Sequence, residues 1–364
     1  MSEPEGLRGT LAADVAAIII LATLCSACVG VGARTVTADR FDYTTALSDS
    51  WKRQMLINVV KLRYGDAPVF LDVSSVIESY ELTQTASLGA NYLNNPVQAG
   101  ANVGATGVFS NRPTISYSPL SGDKFARSLM APVPPAAVLG LIQSGYAAEL
   151  VLRVSVQSVN GLHNERRGGL RPHPASPQFL LLAEKFREIQ AADAVGVRSE
   201  KLDKTEAPVL VFNPYVDERT AADIAQVREL LHLAPDATEF SVVYGLIPEN
   251  DKQVALLTRS MLEILAEYSS YVEVPEGDVA KKRVTPNLRD LSSEDGQYVL
   301  PIAIHSSSKE PKDVFVAVPY RDHWFWIGED DITSKRIFSF LMFTFTLIET
   351  GEKQPAPIVS LPLR

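Results

Sequence analysis

Two neighbouring segments near the start of the chain alternate between polar and apolar residues, and this pattern restricts how residues 81–109 can fold. The stretch reads ELTQTASLGANYLNNPVQAGANVGATGVF, with Asn-Asn-Pro between its two halves. Period-two alternation is typical of β-strands, whose successive side chains point to opposite faces, and Asn and Pro are common in turns. The sequence therefore predicts a long amphipathic β-hairpin with its turn at residues 93–96.

The apolar residues of both strands share one face in a register that pairs Tyr92 with Val97 and Leu82 with Gly107. A shift by one residue would turn every apolar side chain to the opposite face, so the pattern selects this pairing over its immediate neighbours. The candidate membrane or assembly residues of this hairpin are Tyr80, Leu82, Leu88, Tyr92, Val97, Val103 and Phe109.

The apolar face of this hairpin suits either lipid or a second protein surface. A strand of about 13 residues, tilted by about 45°, spans close to the hydrocarbon thickness of about 30 Å. Tyr80 and Phe109 lie at one end of the band and Tyr92 at the other, as aromatic residues do at outer-membrane interfaces. A pore would then need several subunits that each contribute two strands. The many small residues and Gln84 favour the alternative, which is packing against another sheet or a partner.

The N-terminus carries the features of an export signal. Residues 15–24 (VAAIIILATL) form an uncharged run that is too short to span a membrane but suits a signal peptide. The following CSAC resembles the lipobox of bacterial lipoproteins, although Cys25 stands where Leu is usual and the first residues are acidic. That resemblance implies an acylated Cys28, and the VGVGA after it, which lacks Asp, implies an outer-membrane lipoprotein facing the periplasm. A cleaved or buried N-terminal helix is the alternative.

Composition and motifs argue against several function classes. The net charge of −9 disfavours nucleic-acid binding, which needs clustered Lys and Arg. Cys25 and Cys28 are the two cysteines, and they lack the strand–helix context of a redox pair and the further ligands of a zinc site. The sequence contains no G-x-S-x-G, Walker A or H-E-x-x-H motif, and its five histidines have no metal-ligand spacing. We therefore expect no cofactor, no metal and no nucleic-acid partner.

The hydrophobic periodicities predict an α+β fold, with an N-terminal helix and the long amphipathic β-hairpin followed by a mixed α/β globular region. We divide the chain into a signal peptide at residues 1–28, a membrane-proximal or assembly region at residues 29–147, and an α+β domain at residues 148–364. The segments with the clearest expectations are a helix at 42–64, a strand at 148–162, a helix at 176–193, a helix at 252–271, a polar loop at 276–296 and a buried helix from residue 330.

The densest cluster of polar and aromatic residues is PYRDHWFWIGEDD at residues 319–331, which predicts a hairpin turn between two strands. Such a turn can form a ligand pocket or a partner-binding patch. The alternative is a hairpin whose tryptophans cover the core while its Asp and Arg remain solvated. The candidate ligand or partner residues are His305, Arg321, Asp322, His323, Trp324 and Trp326.

Four segments together resemble a family of proteobacterial envelope proteins described as hypothetical or putative lipoproteins. They are LINVVKLRYGDAPVFLDVSSV, RPTISYSPLSGDKFARSL, TRSMLEIL with VEVP, and YRDHWFWI with DITSKRIF. The resemblance implies a place in the cell envelope and no catalytic residue. We expect a non-catalytic structural or export-type component, held in the membrane by its lipid anchor and assembling as a homo-oligomer or with other envelope proteins. The alternative is an envelope enzyme or small-ligand-binding protein that uses residues 319–331.

Overall fold

The structure is a computed structural model that describes residues 32–77, 80–91, 100–111, 114–168, 172–202, 205–287 and 302–348. It has the predicted α+β fold, with an N-terminal helix, a long hairpin and a mixed α/β region. Two compact units divide the chain, residues 1–52 and residues 53–364. Three candidate residues, Cys28, Tyr92 and Val97, lie outside the described residues.

The helices and strands are as follows in chain order. The helices are α1 (Gly32–Arg63), α2 (Asp123–Met130), α3 (Pro135–Gln143), α4 (Ala148–Ser155), α5 (Pro177–Ala191), α6 (Glu218–Leu230), α7 (Met261–Ser269), α8 (Glu276–Ala280) and α9 (Ile332–Ile348). The strands are β1 (Phe70–Ile77), β2 (Tyr80–Asn91), β3 (Gly100–Asn111), β4 (Thr114–Leu120), β5 (Val156–Val159), β6 (Leu162–His163), β7 (Val195–Leu202), β8 (Thr205–Phe212), β9 (Glu239–Tyr244), β10 (Gln253–Thr258), β11 (His305–Ser307), β12 (Val314–Tyr320) and β13 (His323–Gly328).

Helix α1 begins ten residues before the predicted helix and ends where the sequence indicates. In the first unit, an ion pair joins Lys52 to Asp49 at 2.8 Å along the helix surface. In the second unit, the helix ends just before Gly65, whose φ of 78° lies in the left-handed region that glycine adopts without strain. None of the described helices is both long enough and apolar enough to cross a membrane.

Two side-chain amides of α1 hold the beginning of β1. Asn58 is fully buried; its Nδ2 donates to Val69 O at 2.8 Å, and its Oδ1 accepts from Val69 N at 2.8 Å. One turn earlier, Gln54 makes the same pair of bonds with Leu71, at 2.9 Å and 2.6 Å. Gln54 and Asn58 are four residues apart and lie on one face of the helix, while Val69 and Leu71 are two apart and lie on one edge of the strand. The spacing of the two amides along the helix therefore fits the spacing of the two backbone groups along the strand. They act as a short ladder between helix and strand.

The predicted hairpin is present, but its register differs from the predicted one by two residues. Leu82 pairs with Phe109 rather than with Gly107, and Tyr80 pairs with Asn111 rather than with Phe109. A shift of two residues leaves the same residues on each face, so the alternation cannot distinguish the two registers. The prediction depended on the turn, which we placed at residues 93–96; the last observed pair is Asn91 with Gly100.

The hairpin continues the register of the strand pair at its base. Strands β1 and β4 are antiparallel and end with Ile77 paired to Thr114, while β2 and β3 begin with Tyr80 paired to Asn111. The three positions from Ile77 to Tyr80 are thus matched by the three from Asn111 to Thr114, so the pairing register is the same on both sides. At the base, Phe70 stacks on Phe345 of α9 with ring centroids 4.7 Å apart, which packs the first residue of β1 into the core.

The mixed α/β region contains a six-stranded sheet in the order β6-β5-β10-β9-β8-β7. The β9–β10 pair is parallel and the other neighbouring pairs are antiparallel. Helix α5 buries Phe179, Leu182 and Phe186, and Ser176 caps its first turn by accepting from Phe179 N at 3.2 Å, as the sequence indicates.

Three predicted segments in this region were wrong. Residues 148–155 form helix α4 instead of the first half of a strand. Residues 253–258 form strand β10 instead of the first part of a helix, and the predicted polar loop at 276–296 begins with helix α8. In the first two cases no position is exposed, so the sequence has no solvent-facing side whose period would reveal the element.

The C-terminal part combines a three-stranded sheet, in the order β11-β13-β12, with the buried helix α9. Asp331 caps this helix, accepting from Ser334 N at 2.9 Å. The helix buries Ile337, Phe338 and Leu341, as expected for a core helix.

Candidate functional site

The predicted aromatic hairpin at residues 319–331 is formed by β12 and β13. Its turn is Arg321 and Asp322, with Arg321 at a φ of 53°. Phe325 and Ile327 are fully buried on one face of β13, while Trp324 and Trp326 on the other face are half-buried. The side chains that this hairpin buries completely are therefore Phe325 and Ile327, whereas the tryptophans are buried only in part.

Arg321 joins the hairpin turn to the segment that follows α1. Its guanidinium lies 4.9 Å from the centre of the Tyr64 ring and 3.6 Å from Asp66 Oδ2. Tyr320 also donates its hydroxyl to Asp66. Arg321 and Tyr320 thus both hold the hairpin turn against the end of the N-terminal helix.

Tyr64 extends this contact to helix α8. Its hydroxyl donates to Asp278 Oδ2 at 2.9 Å, and the bond is buried. Burial and the bond to Asp278 raise the pKa of the Tyr64 hydroxyl well above its ordinary value. The phenol therefore stays protonated and acts as a structural donor.

The open face of β13 brings His305 and Trp326 together. They are paired across β11 and β13, and their ring centroids are 4.7 Å apart. His305 Nδ1 lies 3.0 Å from Glu273 Oε2. The buried Trp326 Nε1 has no hydrogen-bond partner among the described residues. His323 pairs with Tyr320 next to the turn, so the structure separates the predicted patch into a turn that packs on Tyr64 and an aromatic strip at His305 and Trp326.

A cavity of about 330 Å³, which the sequence did not predict, lies beside strands β5 and β10 and helix α7. Its wall contains a network of buried charges that joins three parts of the chain. Glu165 accepts from Arg153 Nη2 at 3.1 Å and from Arg167 Nε at 3.0 Å. Arg259 donates to the backbone carbonyls of Arg153 and Glu165. Buried charges are tolerated when they are paired in this way, and the network fixes residues 164–168 against the sheet.

Two carboxylates of α7 face this cavity, one turn apart. Glu263 completes a capping box with Ser260 at the start of the helix and also accepts from Gln157 Nε2 at 3.0 Å. Glu267 is only 3% exposed, and its Oε2 accepts from Arg167 N at 2.8 Å and from Gly168 N at 3.0 Å. The other oxygen, Oε1, has no hydrogen-bond partner among the described residues.

Gly168 allows the close contact between the loop and α7. A Cβ at this position would lie 2.5 Å from a backbone carbon of α7 and 2.8 Å from Glu267 N. Only a residue without a side chain can approach so closely, and this approach brings the Gly168 N–H within reach of Glu267.

A sequence signal for this site lies in helix α7. In MLEILAEYS, two glutamates four residues apart interrupt an otherwise apolar helix, and a glutamate on a buried face needs partners. The sequence predicts one helix over residues 252–271, whereas Arg259 and Ser260 form the junction between β10 and α7. Another part of the cavity wall is formed by residues 163–166 and by Gly168, within the basic sequence HNERRG.

Comparisons with known proteins give no match to this chain: no protein-family model, no curated protein and no solved structure is similar to it. Among the described residues, no group of three or more His, Cys, Asp or Glu side chains is arranged to hold a metal ion.

Proposed function

We propose that this chain is an outer-membrane lipoprotein, acylated at Cys28 and facing the periplasm, that serves as a non-catalytic structural or export-type component. It assembles with further copies of itself through the hairpin β2–β3. The lipobox-like CSAC and the resemblance to envelope lipoproteins support the location. The hairpin supports the assembly.

The observation that carries this proposal is the isolation of β2 and β3. Within the described residues they form a sheet of two strands, each 12 residues long, with both outer edges unpaired. A two-stranded sheet is at best marginally stable in water, and a long free edge is a template for pairing with another chain.

The sequence of these strands does nothing to protect the free edges. Natural edge strands are protected by Lys, Pro, inward-pointing charges or bulges. Strands YELTQTASLGAN and GANVGATGVFSN contain Glu81 as their single charged residue and no proline, and their pairing has no register shift. An edge of this kind suits hydrogen bonding to the same edge of a neighbouring copy.

The neighbouring strand pair adds an apolar surface. Leu71 of β1 and Ile115 and Tyr117 of β4 are exposed by 42%, 39% and 56%, and Val69 before β1 by 52%. A group of exposed apolar side chains in a protein of this size commonly marks an interaction surface. Their place at the base of the hairpin extends the proposed interface beyond the strand edges.

The test is the molar mass of the detergent-solubilised full chain, measured by light scattering with the detergent contribution subtracted. The matched variant replaces residues 78–113 by a short Gly-Ser turn that joins Ile77 to Thr114, which are already paired in the native register. We expect the molar mass of a defined oligomer for the wild type and that of a monomer for the variant. The melting temperature of the domain outside the hairpin should be the same in both proteins. A monomeric wild type, or a variant that keeps the oligomer mass, would refute assembly through the hairpin.

The lipid anchor is tested separately by labelling cells with a radioactive fatty acid. Wild type should incorporate the label and Cys28→Ala should not. Equal labelling of the two proteins would contradict acylation at this cysteine without bearing on the assembly.

The rival function, an envelope enzyme or small-ligand-binding protein using residues 319–331, has one observation in its favour. Trp326 Nε1 has no partner among the described residues and lies beside His305. A ligand that raises the melting temperature of the wild type but not of Trp324→Ala or His323→Ala would favour this rival.

A further inference from the structure

The hairpin differs from the rest of the chain in its lack of charged side chains. Residues 82–111, which include the turn and nearly all of both strands, contain no Asp, Glu, Lys, Arg or His, whereas 21% of all residues in the chain are charged. Glu81 precedes this run and Arg112 follows it, so in the chain both charges lie next to the strand pair β1–β4. A charged side chain is costly in the hydrocarbon of a membrane. The strands and the turn can therefore enter hydrocarbon without burying a charge.

The lack of charge extends to the face of the hairpin that suits water. Strand alternation places hydroxyl and amide side chains on this face, namely Thr83, Thr85, Ser87, Asn91, Asn102, Thr106 and Ser110. Strands that stay in water usually carry Lys or Glu on their solvent side, which keeps them soluble and prevents pairing with other chains. A hairpin that packs on a partner by one face has no need to exclude charge from its other face and its turn, whereas a hairpin that passes through hydrocarbon does.

The observed register gathers the large apolar residues of the other face into cross-strand pairs. Leu82 pairs with Phe109, and Leu88 pairs with Val103. In the register predicted from the turn, these leucines lie opposite glycine and alanine, which spreads the apolar residues thinly along the face. Residues directly opposite each other share one face of an antiparallel pair, so the structure gives this face apolar bulk at two levels. Gln84 is its one uncharged polar residue between these levels.

The paired length of the hairpin matches the thickness of a bilayer. Strands β2 and β3 are each 12 residues long and pair without a bulge. At about 3.4 Å per residue and a tilt of about 45°, they span close to the hydrocarbon thickness of about 30 Å. Backbone N–H and C=O groups in hydrocarbon must all be paired. The two outer edges of the hairpin obtain these partners from neighbouring copies in the assembly proposed above.

We propose that the hairpin β2–β3 crosses the lipid bilayer, with the face of Leu82 and Leu88 against the acyl chains and the face of Thr83 and Thr106 toward water. The lipid anchor expected at Cys28 holds the chain at the membrane that the hairpin enters. This inference rests on the location and the assembly in the proposed function. It adds that neighbouring copies bind through the strand edges, while the apolar face binds lipid rather than protein.

The test measures which side chains touch the acyl chains. Single cysteines carrying a fluorophore are introduced into the full chain, which is reconstituted into phosphatidylcholine vesicles with or without nitroxide-labelled lipids. The wild-type chain gives the background from its own cysteines. Nitroxides quench a fluorophore that they contact, so we expect loss of emission in Leu88→Cys and Val103→Cys. The matched controls Ser87→Cys and Thr106→Cys, on the other face, should keep their emission, and the β3 pair decides the question if a β2 variant does not fold.

The depth of the quencher separates a hairpin that crosses the bilayer from one that lies flat on its surface. A nitroxide near the end of the acyl chain should quench Ala86→Cys, in the middle of β2, more than a nitroxide near the headgroup does. Leu82→Cys, near the base, should show the opposite order. Stronger quenching by the headgroup nitroxide at both positions would overturn the crossing.

The remaining outcomes keep this proposal apart from the proposed assembly. Equal quenching on the two faces, or none on either, would also overturn the crossing. If the solubilised chain then still has the molar mass of an oligomer, the assembly stands and the apolar face binds protein. A monomeric wild type refutes the assembly, whereas the quenching pattern is read on the vesicles and decides the crossing by itself.

Discussion

The amide ladder between α1 and β1 makes a prediction that separates a buried polar contact from an exposed one of the same chemistry. Replacing Asn58 by Leu keeps the size of the side chain and removes both bonds to Val69. Replacing Gln54 by Leu removes the equivalent two bonds to Leu71. The two variants lose the same number of hydrogen bonds in different surroundings.

The expected magnitudes follow from burial. Asn58 is 0% exposed, so Asn58→Leu leaves the Val69 N–H and C=O without their partners in a partly buried site. The two lost bonds cost about 1 kcal/mol each, and the Val69 N–H and C=O left without partners are incompletely hydrated. Together these effects give a destabilisation of about 2–3 kcal/mol. The bonds of Gln54 are exposed, so water replaces them and Gln54→Leu should cost less than about 1 kcal/mol.

Thermal unfolding of the detergent-solubilised full chain measures this difference. At about 2 °C per kcal/mol for a chain of this size, Asn58→Leu should lower the melting temperature by about 5 °C and Gln54→Leu by about 1–2 °C. Amide exchange provides a local readout, because the Val69 N–H should lose protection in Asn58→Leu while Leu71 N–H should lose it in Gln54→Leu. Equal melting temperatures for both variants and the wild type would refute the idea that the ladder fixes the base of the hairpin.

Two further predictions concern the cavity loop and the cap of α9. Gly168→Ala should lower the melting temperature by several degrees, since the added Cβ meets the backbone of α7 and breaks the bond from residue 168 to Glu267, at a cost of about 1–3 kcal/mol. Gly196→Ala, where the Cβ meets open space, is the matched control, and an equal effect of the two would contradict the close contact. Burial alone would raise the pKa of Asp331, but the hydrogen bonds from Ser334 outweigh it and lower the pKa below its ordinary value of 3.8. The stability that this carboxylate contributes is complete above pH 3.8 and is lost as the pH falls through the lowered pKa of the folded state. Below about pH 4, the melting temperature of the wild type should therefore fall more steeply with pH than that of Asp331→Asn. An equal pH dependence of the two melting temperatures would contradict the cap.

The elements that the sequence predicted well are those in which polar and apolar positions differ. Helix α5 has a serine cap, a proline in its first turn and an apolar stripe, and β2 and β3 alternate with few exceptions, such as Gln84. The segments that were misassigned, α4 and β10, have no exposed position, and even Arg153 of α4 is only 1% exposed. With no solvent-facing side, a short apolar run fits a helix and a strand equally well, and only the tertiary packing decides between them.

Within the candidate site, too, the contacts that the sequence predicts are those between residues close together in the chain. The aromatic hairpin could be predicted because its residues are neighbours in sequence. The cavity could not, because its charges come from residues 153, 165–167, 259 and 263–267, which the fold brings together from separate elements. Pairing among buried charges depends on distances between elements, and periodicity within an element carries no information about them.

The fixed base of the hairpin bears on what kind of assembly its edges can form. Free edges on a mobile segment would pair in many orientations and favour open aggregates. Here the ring of Phe70 contacts those of Phe125 and Phe345, with centroids 5.8 Å and 4.7 Å away, and the amides of α1 hold the backbone at the start of the strand. The pairing of β2 with β3 keeps the register of this anchored pair, so the proposed assembly would use strands whose base is held by the domain. In the assembly proposed above, a constant angle between successive copies would give a closed ring only where the rotation closes, and an open helical filament otherwise, so the molar mass of the solubilised chain decides between the two.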